Sequence, residues 1–231
     1  MKNSDVFLAS FNRIDKELKS SLTRKEFGFS RAVRILQKSN PLIKRYKDDL
    51  LEFAELRNAI VHNRTDVSYV IAEPHDSIVE SIIKIEEELT KPKIVYSYFA
   101  RKVYTLQANE KVLTLLEVIR EREFTKFPIY NGKEFLGLIT QKGITNWLAN
   151  EVYDGNDILI EKTLSDVLQY EDNENYKFIS GNSSLYEAVD LFKEQIGNGH
   201  RLEAILITEN GAPTESLVGI VTNWDIMKVN T

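Results

Sequence analysis

The chain has 231 residues, of which 42% are hydrophobic and 28% charged, and its formal net charge is −5 at pH 7. This composition is typical of a globular protein with one large domain or two ordinary ones. It contains no cysteine, which excludes disulfides, Cys-ligated zinc and thiol chemistry, and no apolar run approaches the roughly 20 residues that a membrane-spanning helix needs. We therefore expect a cytoplasmic protein without a membrane segment or a signal peptide.

The charge is unevenly distributed along the chain. Residues 1–70 contain 14 Lys and Arg against 9 Asp and Glu, a net charge of +5, whereas residues 71–231 carry a net charge of −10. A basic N-terminal part beside an acidic remainder indicates two domains with different partners. For the first domain it favours an anionic partner such as RNA.

The first ninety residues are predicted to be helical. Apolar residues recur at helical spacing in four segments, over about 5–22, 24–38, 41–62 and 76–90. Asn40-Pro41 interrupts the pattern, and Lys91-Pro92-Lys93 ends it. Four helices of this length predict an all-α four-helix bundle over residues 1–92.

From residue 94 onward, short β-like runs alternate with helical segments. The runs are KIVYSYF, FPIY, FLGLIT, AILIT and LVGIVT, and the helical segments are 109–122, 142–152, 183–196 and 223–229. This alternation is typical of an α/β arrangement. The predicted fold class of the whole chain is therefore α+β, an all-α bundle followed by an α/β part.

The second part repeats itself. Residues 108–144 align with residues 181–226, and each copy reads helix, strand, turn, strand, then Gly-x-x-Thr leading into a helix. Two copies are too few for a solenoid. They predict a pseudo-twofold pair, with repeats over 94–156 and 157–231 and ligand sites between the halves.

The second Gly-x-x-Thr is the richer motif. In Gly219-Ile-Val-Thr222-Asn-Trp-Asp225 a strand ends where a helix begins, so free backbone N–H groups favour an anion there. Asp225, one turn into the helix, can accept hydrogen bonds from vicinal hydroxyls such as those of a ribose. The alternative is a capping box that only stabilises the helix start.

The doubled unit and the closing sequence GIVTNWD resemble a tandem CBS domain pair, or Bateman module, over about residues 94–231. The resemblance implies a regulatory adenosine-containing ligand (AMP, ADP, ATP, S-adenosylmethionine or cyclic di-AMP) and no required cofactor. It implies that Thr222 faces the phosphate or ribose and that Asp225 faces the ribose hydroxyls. The other residues implied at the ligand are Phe178, Ile179, Ser180, Ala204 and Ile205 around the adenine, with His200 and Arg201 toward the phosphates.

The first repeat departs from this pattern. It keeps Thr140 but has Gly143 where the acid should stand, and glycine cannot accept a ribose hydroxyl. We therefore expect this second site to bind a nucleotide weakly or not at all, although Lys126 could attract an anion there. One good site per chain is the prediction.

The end of the third predicted helix carries the sequence RNAIVH, which contains Arg57, Asn58 and His62. Asn58 and His62, four residues apart, share a helix face, whereas Arg57 and His62 do not. One interpretation is structural, with Asn58 holding a helix-terminal His62 and Arg57 an ordinary surface cation.

The same six residues resemble the Arg-Asn-x-x-x-His motif of HEPN domains, over about residues 1–92. The resemblance implies a dimeric, metal-independent endoribonuclease. His62 would then move protons, Arg57 would hold the phosphate, and Asn58 would orient His62. Arg31, Arg34 and Lys38 recur at helical spacing and would either track an RNA backbone or form a solvated face.

These features predict a homodimeric, adenine-nucleotide-sensing protein whose helical domain is a ligand-regulated endoribonuclease. The alternative is a non-catalytic regulator that uses the helical domain for dimerisation or partner docking. A third reading is one half of a toxin–antitoxin pair. The three histidines lack metal-ligand spacing, so no metal site is expected.

Overall fold

The computed structural model describes residues 2–62, 72–153, 161–197, 199 and 201–229. The chain divides into two compact units, Met1–Lys93 and Ile94–Thr231. The first unit is helical and the second is mixed α/β. Within the described ranges, no helix is long and apolar enough to cross a membrane.

The helical unit is built around its first helix. Its elements are α1 (Asn3–Ser20), α2 (Phe29–Leu36), α3 (Pro41–Arg45), α4 (Lys47–His62) and α5 (Asp76–Thr90). Helix α1 contacts α2, α4 and α5, and its Phe7, Ile14 and Leu18 are almost fully buried. This apolar stripe explains why periodicity alone located the helix.

The two middle helices differ from the prediction. The predicted helix over 24–38 begins only at Phe29, because Gly28 is extended and forms its N-cap. The predicted helix over 41–62 is interrupted at Tyr46, which ends α3 in a non-helical conformation. A helical N-terminal unit is therefore confirmed, and the four-helix bundle stays a prediction.

The second unit contains the same sheet twice. Its elements are α6 (Val95–Phe99), β1 (Leu106–Gln107), α7 (Val112–Arg122), β2 (Lys126–Asn131), β3 (Glu134–Thr140), α8 (Gln141–Tyr153), α9 (Leu164–Leu168), β4 (Tyr176–Ser180), α10 (Leu185–Gly197), β5 (Ala204–Thr208), β6 (Gly219–Val221) and α11 (Asn223–Lys228). Strand β1 pairs parallel with β2, which pairs antiparallel with β3. Strands β4, β5 and β6 repeat this order, which confirms the doubled unit.

One predicted strand is wrong. The run KIVYSYF forms helix α6, although its β-branched and aromatic residues favour a strand. Tertiary contacts decide the outcome, because Val95 and Phe99, one helical turn apart, are buried in the core of the second repeat. The backbone N–H groups of Val95 and Tyr96 donate to the carbonyls of Ser183 at 2.9 Å and Gly181 at 3.0 Å.

The repeats exchange their opening helices. Helix α6 opens the first repeat in sequence but packs on the second. Helix α9 opens the second repeat but packs on the first, where Leu164 and Val167 are fully buried. Backbone hydrogen bonds fix α9 there, from Val112 N to Lys162 O and from Leu164 N to Glu110 O, both at 3.0 Å. The segment after each exchanged helix therefore lies beside the other repeat's Gly-x-x-Thr motif.

The exchange depends on a glycine. A Cβ at Gly219 would lie 2.5 Å from the carbonyl oxygen of Phe99, at the end of α6, and 3.0 Å from Cδ1 of Ile207. The first contact is with backbone and cannot relax by a side-chain rotation. Gly219 thus allows α6 to approach β6 closely.

We expect Gly219→Ala to destabilise the second unit by about 1–3 kcal/mol, because the added methyl group overpacks the contact with Phe99. Thermal and urea unfolding would measure the change. The control is Gly197→Ala, at the end of α10, where a Cβ would meet no atom of the described chain within 4 Å. Equal stability of the two variants would contradict the prediction.

Candidate functional site

The motif of the second repeat borders a cavity of about 270 Å³. Three segments form it: the chain after α6, the turn between α7 and β2, and the end of β6 with the start of α11. Its lining residues are Arg101, Lys102, Val103, Tyr104, Glu123, Phe124, Thr125, Lys126, Ile220, Thr222 and Asp225. We call this space the second-repeat cavity.

Thr222 and Asp225 are hydrogen-bonded to each other. Thr222 donates to Asp225 Oδ2 from its backbone N at 2.8 Å and from its Oγ1 at 2.7 Å. This is the capping box that the sequence left open as an alternative. The Asp225 side chain is nevertheless 21% exposed and lines the cavity, so the cap leaves its carboxylate accessible to a ligand.

Three cationic residues line the second-repeat cavity. Arg101 Nη2 donates to Ile220 O at 2.7 Å and lies 3.4 Å from Asp225 Oδ2. Lys102 is the second cation, and Lys126, which the sequence associated with the first repeat, is the third. Lys126 Nζ also forms an ion pair with Glu203. The cavity therefore offers positive charge beside a hydroxyl-accepting carboxylate.

Two aromatic rings stand at the same cavity. Tyr104 and Phe124 have ring centroids 6.1 Å apart, and Phe124 is 40% exposed. The preceding residue, Glu123, has a φ of +55° in the left-handed region, where a non-glycine residue is strained. Tyr104 is half-buried against the core of the first repeat, so Phe124 is the ring that is exposed to stack on a planar base.

Five predicted ligand residues lie elsewhere. Phe178 packs edge-on against Phe135, with centroids 5.1 Å apart, and Ser180 Oγ donates to the carbonyl of Glu209. Ile179, Ala204 and Ile205 are buried in the core of the second repeat. None of these five described residues lines the second-repeat cavity.

Arg201 is also placed away from Thr222. Arg201 lines a small space beside Thr140, together with Glu171 and Glu203. His200 lies outside the described residues. The turn between α10 and β5 thus borders the first repeat's motif, as the turn between α7 and β2 borders that of the second.

The motif of the first repeat is already occupied by a side chain. Thr140 donates to Glu171 from its backbone N, to Oε1 at 2.5 Å, and from its Oγ1, to Oε2 at 3.1 Å. Asn175 Nδ2 donates to the same Oε2 at 2.9 Å. The space left beside Thr140 is only about 20 Å³, about the room that one water molecule needs.

Sequence reasoning missed Arg101, Tyr104, Phe124 and Glu171. Hydrophobic periodicity gives no sign that α6 and α9 are exchanged, so the segments after them could not be assigned to a motif. The internal alignment of residues 108–144 with 181–226 gave no signal either, because it begins after both of these segments.

A second cavity, of about 340 Å³, lies in the helical unit between α1, α2 and α4. Arg57 and Asn58 both line it, and Arg57 Nη1 donates to Asn58 Oδ1 at 3.3 Å. Arg31 and Lys19 add two further cations. Arg57 and Asn58 are consecutive in the sequence, and helix α4 ends at His62, whose side chain lies outside the described residues.

Comparison with known proteins identifies the α/β part. A family model described as the CBS domain matches residues 95–150 and 164–230, together more than half of the chain. No curated protein matches the chain significantly. The matched ranges include both exchanged helices and both Gly-x-x-Thr motifs.

Several solved structures are similar to the chain. The CBS domain pair of protein MJ0100, in complex with 5′-methylthioadenosine and S-adenosyl-L-methionine, is 15% identical with a TM-score of 0.45, covering 59% of this chain and 94% of that one. CBSX2 in complex with AMP is 15% identical with a TM-score of 0.44, covering 59% and 94%. A CBS domain-containing protein from Kribbella flavida is 11% identical with a TM-score of 0.45, covering 59% and 97%.

The carboxyl group of Glu171 gives the first repeat a testable pH dependence. Burial raises its pKa above the ordinary 4.5, Glu203 adds to the shift, and the hydrogen bonds from Thr140 and Asn175 partly oppose it. The folded state therefore holds the proton of Glu171 more tightly than the unfolded state does. The stability that this protonation contributes is complete below about pH 4.5 and is lost as the pH rises through the folded pKa.

We expect wild type to gain stability relative to Glu171→Gln as the pH falls from 7 toward 5, because Gln has no ionised form to desolvate. Thermal unfolding of both proteins across this range measures the difference and cancels the titration of the other carboxyl groups. A difference that is constant with pH would contradict the raised pKa.

Proposed function

We propose that this chain, which belongs to the CBS domain family through residues 95–150 and 164–230, binds one adenosine-containing regulatory ligand in its second-repeat cavity. Asp225 accepts hydrogen bonds from the ribose hydroxyls. Tyr104 and Phe124 border the adenine. Arg101 and Lys102 lie toward a phosphate or another anionic group.

The observation that carries the proposal is the convergence of three kinds of group on one cavity. An accessible carboxylate, an exposed aromatic ring and cations are the groups that a ribonucleotide's hydroxyls, base and phosphate each require. The cavity of about 270 Å³ is close to the roughly 300 Å³ at which small-ligand pockets begin. Among the described residues, the space beside the first repeat's Thr140 is about 20 Å³, far below that size.

The capping box of Thr222 and Asp225 has a counterpart that serves as a control. Thr163 N and Oγ1 donate to Asp166 Oδ2 at 2.8 and 3.0 Å, the same arrangement at the start of α9. Asp166 does not line the second-repeat cavity. Removing either aspartate weakens a helix cap, but only one removal changes the cavity.

We expect Asp225→Ala to weaken AMP binding by about 10- to 100-fold, since a hydrogen bond to a charged group contributes roughly 1.5–3 kcal/mol. Asp166→Ala should lose similar stability, about 1 kcal/mol, and bind AMP as wild type does. Calorimetric titration measures the affinity, and thermal unfolding the stability. AMP binding that is unaffected by Asp225→Ala would refute the assigned role.

A second function is proposed for the helical unit, namely cleavage of RNA without a metal. The observation in its favour is that Arg57 and Asn58 line a cavity with the cation Arg31 and with Lys19, which pairs with Asp15 at 2.6 Å. A guanidinium in such a setting can hold a phosphate and stabilise its developing charge. His62 is the proposed proton carrier, and the protein is proposed to act as a homodimer.

We expect wild-type protein to cleave mixed RNA in excess chelator, and Arg57→Ala and His62→Ala to lose at least 100-fold in rate, since acid–base catalysis contributes roughly 10²–10⁴-fold. Lys44→Ala, an exposed cation on α3 outside the cavity, should cleave as wild type does. Gel analysis of RNA with and without AMP measures cleavage. Absence of cleavage by wild type would favour the non-catalytic regulator.

Regulation of cleavage by the ligand is part of this second proposal. A ligand can shift an equilibrium only if it binds two states unequally. AMP should therefore change the cleavage rate of wild type and leave that of Asp225→Ala unchanged. Equal rates with and without AMP would remove the regulatory part and leave the nuclease proposal standing.

A further inference from the structure

The first repeat obtains from elsewhere the carboxylate that its own motif lacks. In the second repeat, Thr222 donates through N and Oγ1 to the acid three residues later. In the first, Thr140 makes the same two bonds to Glu171, which is 31 residues away in sequence. Glu171 lies just beyond the exchanged helix α9, and its carboxylate takes the position of the absent acid.

Gly143 and Glu171 depend on each other. A Cβ at Gly143 would lie 2.8 Å from Glu171 Cγ and closer still to its Cδ and Oε1. No side chain fits at position 143 while Glu171 is in place, and an aspartate there would compete for the same donors of Thr140. The absence of an acid at position 143 and the presence of Glu171 beside Thr140 therefore require each other.

Neighbouring residues hold Glu171 in this position. Asn175 Nδ2 donates both to Glu171 Oε2, at 2.9 Å, and to the carbonyl of Leu138, at 3.2 Å. Glu203, whose side chain is 9% exposed, borders the same space, where it forms ion pairs with Lys126 and Arg201. The remaining volume of about 20 Å³ cannot hold a nucleoside.

We propose that Glu171 is a built-in occupant of the first repeat's ligand site, which keeps that site closed and limits each chain to one adenosine-containing ligand. Because Glu171 is part of the chain, it is present at the site at every concentration of the ligand. The ligand half of this inference rests on the proposed function of the second-repeat cavity, whereas the interdependence of residues 143 and 171 does not.

A double-mutant cycle tests the interdependence without any ligand. Gly143→Asp alone should lower the melting temperature by about 5 °C or more, because the new side chain collides with Glu171. In the Glu171→Ala background, the same substitution should change it by less than about 2 °C, because the space is empty and the introduced aspartate restores the capping box. Equal losses in both backgrounds would overturn the proposal.

AMP titration tests the closure, with Asp225→Ala present throughout to suppress the second-repeat cavity. Asp225→Ala alone should bind AMP weakly. Adding Glu171→Ala and Gly143→Asp together should restore binding by at least 10-fold, now at the first repeat. Adding Glu171→Gln instead should not, because glutamine fills the same volume. A folded triple variant that gains no AMP affinity would show that Glu171 is not what closes this site.

The outcomes separate the two proposals. Wild type that binds no AMP refutes the proposed ligand of the second-repeat cavity, and the stability cycle then decides the role of Glu171 by itself. Wild type that binds one AMP per chain, together with a coupled stability cycle and restored binding in the triple variant, supports both proposals. Wild type that binds two AMP per chain would overturn the closed first site directly.

Discussion

The reciprocal exchange of α6 and α9 is the constraint on which the α/β unit depends. Helix α6 completes the apolar core of the second repeat and α9 that of the first, and backbone hydrogen bonds hold each helix there. The exchange brings the segment after each helix to the opposite Gly-x-x-Thr motif. Both candidate ligand sites are therefore composite, and a change in the fit of either helix alters a site made largely of other residues.

The same geometry produces two different results in the two repeats. Beyond α6 the chain carries cations, and the site beside Thr222 stays open with Arg101 at its edge. Beyond α9 it carries Glu171, and the site beside Thr140 is filled. The two repeats have the same sheet topology. The side chains of the segment that follows the exchanged helix therefore determine whether the site is accessible or closed.

Much of the fold was predictable because strong local patterns coincide with tertiary burial. The stripe of Phe7, Ile14 and Leu18 located α1, and the continuous apolar run AILIT located β5, which is buried along its whole length. Helix α6 was mistaken for a strand because five residues carry little periodicity and their partners at 181–183 are distant in sequence. Short elements depend on contacts that local sequence does not reveal.

The candidate site was predictable only at its motif. Thr222 and Asp225 are three residues apart, so sequence spacing already fixes their relation. Arg101 and Glu171 contact their motifs from 124 and 31 residues away in sequence. The local sequence around either residue does not indicate these contacts. The absence of an acid at Gly143 led to the prediction of a weak first site, but the glycine alone did not indicate that another residue stands in place of the missing group.

The exchange of helices also affects the order in which the chain folds during its synthesis. During synthesis the first repeat emerges before α9, and α6 must wait for β6, more than a hundred residues later, to reach its place against Gly219. Contacts of such long sequence separation slow folding. We expect the helical unit to fold early on the ribosome and the α/β unit to become stable only when its last strand is released, as a single cooperative step. Neither repeat is expected to be stable when expressed alone.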